Sequence, residues 1–207
     1  MNDGDIMFSY TTHIKHMFYQ NLTQLKEDVR LRKPYIIKKV KSYCEKWGDD
    51  FDSVLNEIIT NDRFARFFIK DPKKQNVYEM IFLNHVNDIG YNISKLTSHG
   101  KNAVCLDNDG NIVYGSSKIN TTKSMDFIGD DNGNITYYYH KYTNESGGAQ
   151  DNQYSDVVHF ITNASKNKNG NTLFVAVCDG DYYTDNKIKE LKSICGNNVK
   201  VMNINDF

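Results

Sequence analysis

The chain lacks most of what would take it out of water. No stretch of its 207 residues approaches the run of about 18 apolar positions that a membrane span needs, so none is expected. The opening "MNDGDIMFSYTTHIKH" has neither the basic start nor the apolar stretch of a signal peptide. Cysteine is sparse. Cys44, Cys105, Cys178 and Cys195 are scattered without metal-ligand spacing. Three of them fall in expected core elements and read as reduced and buried rather than disulfide-bonded. A cytoplasmic protein is the expectation. Net charge is also nearly missing, at −1, which argues against indiscriminate coating of nucleic acid. Internal repeats and low-complexity linkers are absent.

What is present is enough for a core. Apolar residues make up 39% and aromatics 13%, so the chain can fold as one domain with an appendage or as two small domains. Charge is uneven along it. Residues 26–46, "KEDVRLRKPYIIKKVKSYCEK", hold eight Lys/Arg against three acids. Such an excess is either a solvated helix face or a face that meets phosphates.

Residues 1–68 read as a helical region. Pro34 can open a helix over "PYIIKKVKSYCEKW" and Gly48 can close it. "DSVLNEIITNDRFARFF" reads as another helix, with Asp52 or Ser53 as its cap. "DPKKQNVYEMIFLNHVND" starts a third, with Asp71 as N-cap and Pro72 at the first helical position, and places Gln75 and Glu79 on one face. From residue 100 the period changes. "NAVCLDNDGNIVYG" is a hairpin around Asp109-Gly110, and "SMDFIGDDNGNITYYYHKYT" is a second around Asn132-Gly133. A helix over "GGAQDNQYSDVVHFITNAS", a buried strand "NTLFVAVC", a helix "DNKIKELKSICG" and a strand "NVKVMNI" follow. Helix, three or four strands, helix, strand, helix, strand is an α/β (α+β) order, with a mixed central sheet flanked by helices over residues 69–207.

The second hairpin carries chemistry. Lys141 lies fifteen positions after Asp126, on the next strand across a tight turn. Alternation puts Tyr137, Tyr139 and Lys141 on one face and Tyr138 and His140 on the other. Two antiparallel neighbours can thus bring a carboxylate and an ammonium to one sheet edge. A carboxylate binds Mg²⁺ through oxygen, and a lysine beside it can orient a water, which suits hydrolysis of a phosphodiester.

An Asp on one strand, an X-X-Lys on the next and a helix after it resemble the PD-(D/E)XK nucleases. "KSMDF", "HKYTNESGGAQDNQYSDV" and "LFVAVCDGDYY" are similar to type II restriction endonucleases in particular, over roughly residues 60–207. The resemblance implies a Mg²⁺-dependent, usually dimeric enzyme that cuts both strands of double-stranded DNA at a short specific sequence. A cognate methyltransferase acting on the same site is then possible, though not as a stable partner. The resemblance also implies Asp126, Glu79 and Lys141 as catalytic residues, with Glu79 reaching in from the helix before the metal-binding strand. One position departs from the pattern. Two residues before Lys141 the family has Asp or Glu, and this chain has Tyr139. Glu79 is the expected replacement ligand and Glu145 the next; a backbone carbonyl and water beside Asp126 is a third arrangement.

Phosphate contacts are expected from Lys123, Ser124, Gln150 and Tyr154, while Asp151, Asn152 and Gln153 are suited to reading base edges and equally to capping the helix. Gln150 and Tyr154 repeat a Gln-x-x-x-Tyr spacing of RecB-type nucleases, although a solvated first helical turn explains them equally well. Gly147-Gly148 permits a tight turn. His140, facing away from Lys141, is expected to be structural or DNA-contacting. "DNDGNI" and "DDNGNI" resemble calcium loops, but the bidentate position six residues past each Gly is Ser116 or Tyr139, so both read as turns. "HIKH" at 13–16 lacks partners for zinc, and Asp179 and Asp181 read as part of a strand-to-helix turn rather than a metal site. A structure-directed repair or phage nuclease of the same fold and a catalytically inactive DNA-binding protein are the alternatives. A purely structural α/β protein leaves the basic segment unexplained.

Overall fold

The computed structural model describes residues 8–69, 76–115, 120–131, 133–144 and 148–207. The chain divides into two compact units, one of Ser9–Tyr78 and one formed by Glu79–Phe207 with Phe8. The boundary therefore falls ten residues later than the helical region ends in the sequence reading.

The first unit is helical for local reasons. Helix α1 (Tyr10–Arg30) opens where the Ser9 side chain accepts from the Thr12 N–H. Helix α2 (Pro34–Trp47) has Pro34 at its first position and stops at Gly48, whose φ of 78° is left-handed. Helix α3 (Phe51–Thr60) is capped by Asp50, not by Asp52 or Ser53. Asn61 then breaks the long helix read from the sequence. Its side chain accepts from the Arg63 and Phe64 N–H groups and starts the short α4 (Asp62–Ala65). The apolar faces of these helices close on one cluster that includes Leu25, Ile36, Val40, Leu55, Ile58 and Phe68.

The second unit is built on a mixed sheet. Helix α5 (Val77–Asp88) leads to strand β1 (Ile93–Lys95), and β2 (Val104–Leu106) and β3 (Ile112–Tyr114) form the first hairpin. Strands β4 (Phe127–Asp131) and β5 (Asn134–Tyr142) form the second, followed by α6 (Gly148–Ala164), β6 (Thr172–Asp179), α7 (Asp185–Ser193) and β7 (Val199–Met202). Residues 71 and 72, read as the cap and first position of α5, lie outside the described residues. The main sheet runs β1-β4-β5-β6-β7, and β2-β3 stands apart as a two-stranded sheet. β1, β4 and β5 are antiparallel, while β5, β6 and β7 are parallel, as crossovers through α6 and α7 require.

Side-chain alternation along β5 sorts the core into two layers. Tyr139 stacks on Phe160 of α6, with ring centroids 4.9 Å apart. His140, the next residue, stacks on Phe82 of α5 at 5.0 Å. Each such aromatic pair contributes about 0.5–1.5 kcal/mol beyond its burial. Cys105 and Cys178 are buried, and Cys44 and Cys195 are partly buried. Among the described residues no helix is long and apolar enough to cross a membrane.

Candidate active site

Asp126 lies immediately before β4, yet the ladder already holds it on both sides. Its N–H donates to the Tyr138 carbonyl at 2.9 Å, and its carbonyl accepts from the Leu96 N–H at 2.8 Å. The residue is only 8% exposed. Its Oδ2 accepts from the His140 backbone N–H at 2.8 Å. Burial pushes this carboxyl above its ordinary value; the Lys141 charge and the His140 N–H pull it back, and Glu79 pushes it up again. The charges of Lys141, on the neighbouring strand, and Glu79, on the helix, thus both act on the Asp126 carboxyl.

Glu79 comes from the first turn of α5. Its Oε2 pairs with Lys95 Nζ on β1 at 2.7 Å, and both side chains are partly exposed. Lys141 Nζ lies over the ring of Tyr139, 4.3 Å from the centroid. Tyr139 itself is fully buried, and its hydroxyl has no hydrogen-bond partner. Burial pushes that phenol far above its usual range. Tyr139 therefore supplies packing where the resemblance expects a carboxylate.

Among the described residues, no group of three or more His, Cys, Asp and Glu is placed to hold a metal ion. Two carboxylates remain, Asp126 with an Oδ1 not used by the His140 bond, and Glu79. These are the carboxylates that could hold a divalent ion, and magnesium, which keeps several waters, is often bound through one or two of them. Glu145, the other replacement considered, lies outside the described residues, as do Gly147 and the side chain of Gln150.

The remaining expected contacts separate into engaged and open groups. Ser124 Oγ donates to the Ser98 carbonyl at 3.1 Å, while Lys123 is exposed. On α6, Asn152 is exposed. Gln153 accepts from Thr143 Oγ1 at 2.8 Å, and Tyr154 donates to Glu190 at 3.1 Å. Their amide and phenol are thus already bonded within the fold.

Of the two roles expected for His140, structural or DNA-contacting, its surroundings favour the structural one. It is 3% exposed, and its Nε2 lies 3.1 Å from Asp179 Oδ2. Asp179 Oδ1 accepts from the Ile204 N–H at 2.8 Å, so the pair ties β5 and β6 to the segment after β7. A ring buried against Phe82 has the structural role and does not reach a duplex. The same bonds make Asp179 a structural acid.

Sequence reasoning missed Lys95, because the three-residue β1 carries no turn signal or long alternation. It also missed Lys187, whose Nζ lies 3.0 Å from the Tyr182 ring centroid, while Asp151, read as a base-reading or capping residue, accepts from Tyr182 OH at 2.7 Å. These fix the start of α6 to the loop after β6. No protein-family model, curated protein or solved structure matches this chain.

Proposed function

We propose that the chain is a magnesium-dependent nuclease that hydrolyses DNA phosphodiester bonds, built as a PD-(D/E)XK enzyme and acting as a type II restriction endonuclease. The observation that carries this reading is the buried Asp126 carboxylate flanked by Lys141 from the next strand and Glu79 from the preceding helix. The order α5, β1, β4, β5, α6, β6, with three antiparallel strands and a parallel fourth, supports it.

In this reading Asp126 and Glu79 hold the ion. Magnesium bound there would draw charge from the phosphate and make a bound water more acidic. Lys141 orients the attacking water and stands beside the charge that grows on the phosphate oxygens. The cation–π contact with Tyr139 restricts where its ammonium can go. Among the described residues, Lys123 and Asn152 are expected contacts left exposed to meet backbone or bases, with phosphate contacts setting register and loops reading sequence. A homodimer would match a two-fold DNA site.

The test is to incubate the purified protein with unmethylated phage DNA, with Mg²⁺ or with EDTA, beside Lys141→Ala. Discrete bands that need Mg²⁺, and that weaken by at least about a hundredfold in Lys141→Ala, are the expected result. Magnesium-dependent cutting without sequence preference would favour a structure-directed nuclease. A second reading, a DNA-binding protein without chemistry, is favoured by Tyr139, which leaves two carboxylates where the resemblance expects three. DNA binding without cleavage across many substrates would establish it.

A further inference from the structure

The Lys95–Glu79 pair has no assigned part in the reading above, yet it sits on one of the two carboxylates that reading depends on. β1 is an edge strand whose Lys95 pairs in register with Phe127, and the next residue, Leu96, bonds the Asp126 carbonyl. Lys95 is therefore one rung from the buried aspartate. Its side chain is 37% exposed and that of Glu79 is 27% exposed. A pair this open to solvent stabilises a fold by only about 0–1 kcal/mol, so it exchanges readily for another cation.

We propose that Lys95 is an internal counter-cation of the site, holding the Glu79 oxygen that a divalent ion beside Asp126 would otherwise draw on, and so weakening the site's hold on that ion. The inference rests on the cation-site reading given above. The charges give its direction. Asp126, Glu79, Lys95 and Lys141 sum to zero, and removing Lys95 leaves one negative charge in excess beside the ion. Lys95 is a positioning residue in this account, because it acts on the ion through Glu79. A weak hold on magnesium lets the ion enter together with the phosphate that completes its coordination.

The experiment is titration of the full-length protein with Mn²⁺, following free Mn²⁺ by electron paramagnetic resonance. Wild type, Lys95→Met, Lys95→Gln, Lys95→Arg and Asp126→Asn are compared. Loss of Lys95's charge in either neutral variant is expected to tighten Mn²⁺ binding by about tenfold, while Lys95→Arg stays within about twofold of wild type. Asp126→Asn should abolish the binding. The sign separates this role from a structural one, since damage to the fold loosens a metal site. Unchanged or weaker binding in both neutral variants, with Asp126-dependent binding intact in wild type, overturns the inference and leaves the cation site standing. Absence of any Asp126-dependent binding overturns both.

Discussion

Exchanging Asp126 for asparagine is expected to cut magnesium-dependent DNA cleavage by at least about a thousandfold and, in the same protein, to raise the stability of the fold. The first effect follows, on the proposed function, from removing a carboxylate that would hold the ion. The second follows from where that carboxylate sits. It is buried, and burial holds its proton affinity above the ordinary value of 3.8. A carboxyl whose folded value stands above its unfolded one favours the folded state while protonated, and this contribution fades as pH rises through the folded value. Once pH rises above the ordinary value, the wild type therefore bears a burial cost that asparagine does not, and an asparagine oxygen can still accept from the His140 N–H. Lys141, left beside a neutral group, gives back part of the gain. A net increase of about 1–2 kcal/mol, or roughly 3–6 °C in Tm, is expected at pH 7. It should shrink toward zero as pH falls below about 4, where wild-type Asp126 is protonated in both states. Urea unfolding of both proteins at pH 4 and pH 7 checks it; an asparagine variant less stable at pH 7 contradicts the account.

The second large effect concerns Tyr139. Tyr139→Asp restores the residue type that the nuclease resemblance expects two positions before Lys141, but it is expected to destabilise the protein by about 3–5 kcal/mol rather than improve catalysis. The ring fills a fully buried place against Phe160. Aspartate would leave a cavity, lose the stacking and bring a third carboxylate into a desolvated region. Tyr139→Phe is the informative partner. The hydroxyl it removes has no hydrogen-bond partner, so the change should be neutral or stabilising by up to about 1–2 kcal/mol. Cleavage should survive it. Chemical denaturation gives the stabilities, and the phage DNA assay gives the activities. A Tyr139→Phe protein that folds and binds DNA but no longer cuts would assign the phenol a part in the chemistry.

Features set by local chemistry were legible in the sequence. Pro34 and Gly48 bracket α2, Gly110 and Gly133 mark the turns of both hairpins, and the unbroken apolar run of β6 announces a buried strand. Alternation along "YYYHK" was enough to separate Tyr139 and Lys141 from His140, because a strand leaves no other choice. What depends on distant partners was not legible. β1 is three residues long, and it exists because β4 pairs with it, so neither the sheet edge nor Lys95 could be read. Asn61 looked like one more helical residue until its side chain captured two N–H groups of the next turn. Gln153 and Tyr154 looked available for DNA, and their partners Thr143 and Glu190 lie 10 and 36 positions away.

The ion pairs on the first two helices bear on how salt would act. Of the eight Lys/Arg in residues 26–46, Lys26 pairs with Asp62, Arg30 with Glu27, Arg32 with Asp52 and Lys33 with Asp28. Lys39 donates to the Phe68 carbonyl. A cation already balanced by a carboxylate displaces few counterions when it meets a phosphate. If the proposed nuclease meets DNA through this segment, it would bring about four uncommitted charges to the duplex instead of eight, and its share of the slope of log affinity against log salt should be no steeper than about −4. Filter binding across a range of salt concentrations, with Lys38 and Lys41 changed to glutamine, measures that share. A protein built this way would depend less on the ionic strength around it than its basic stretch suggests.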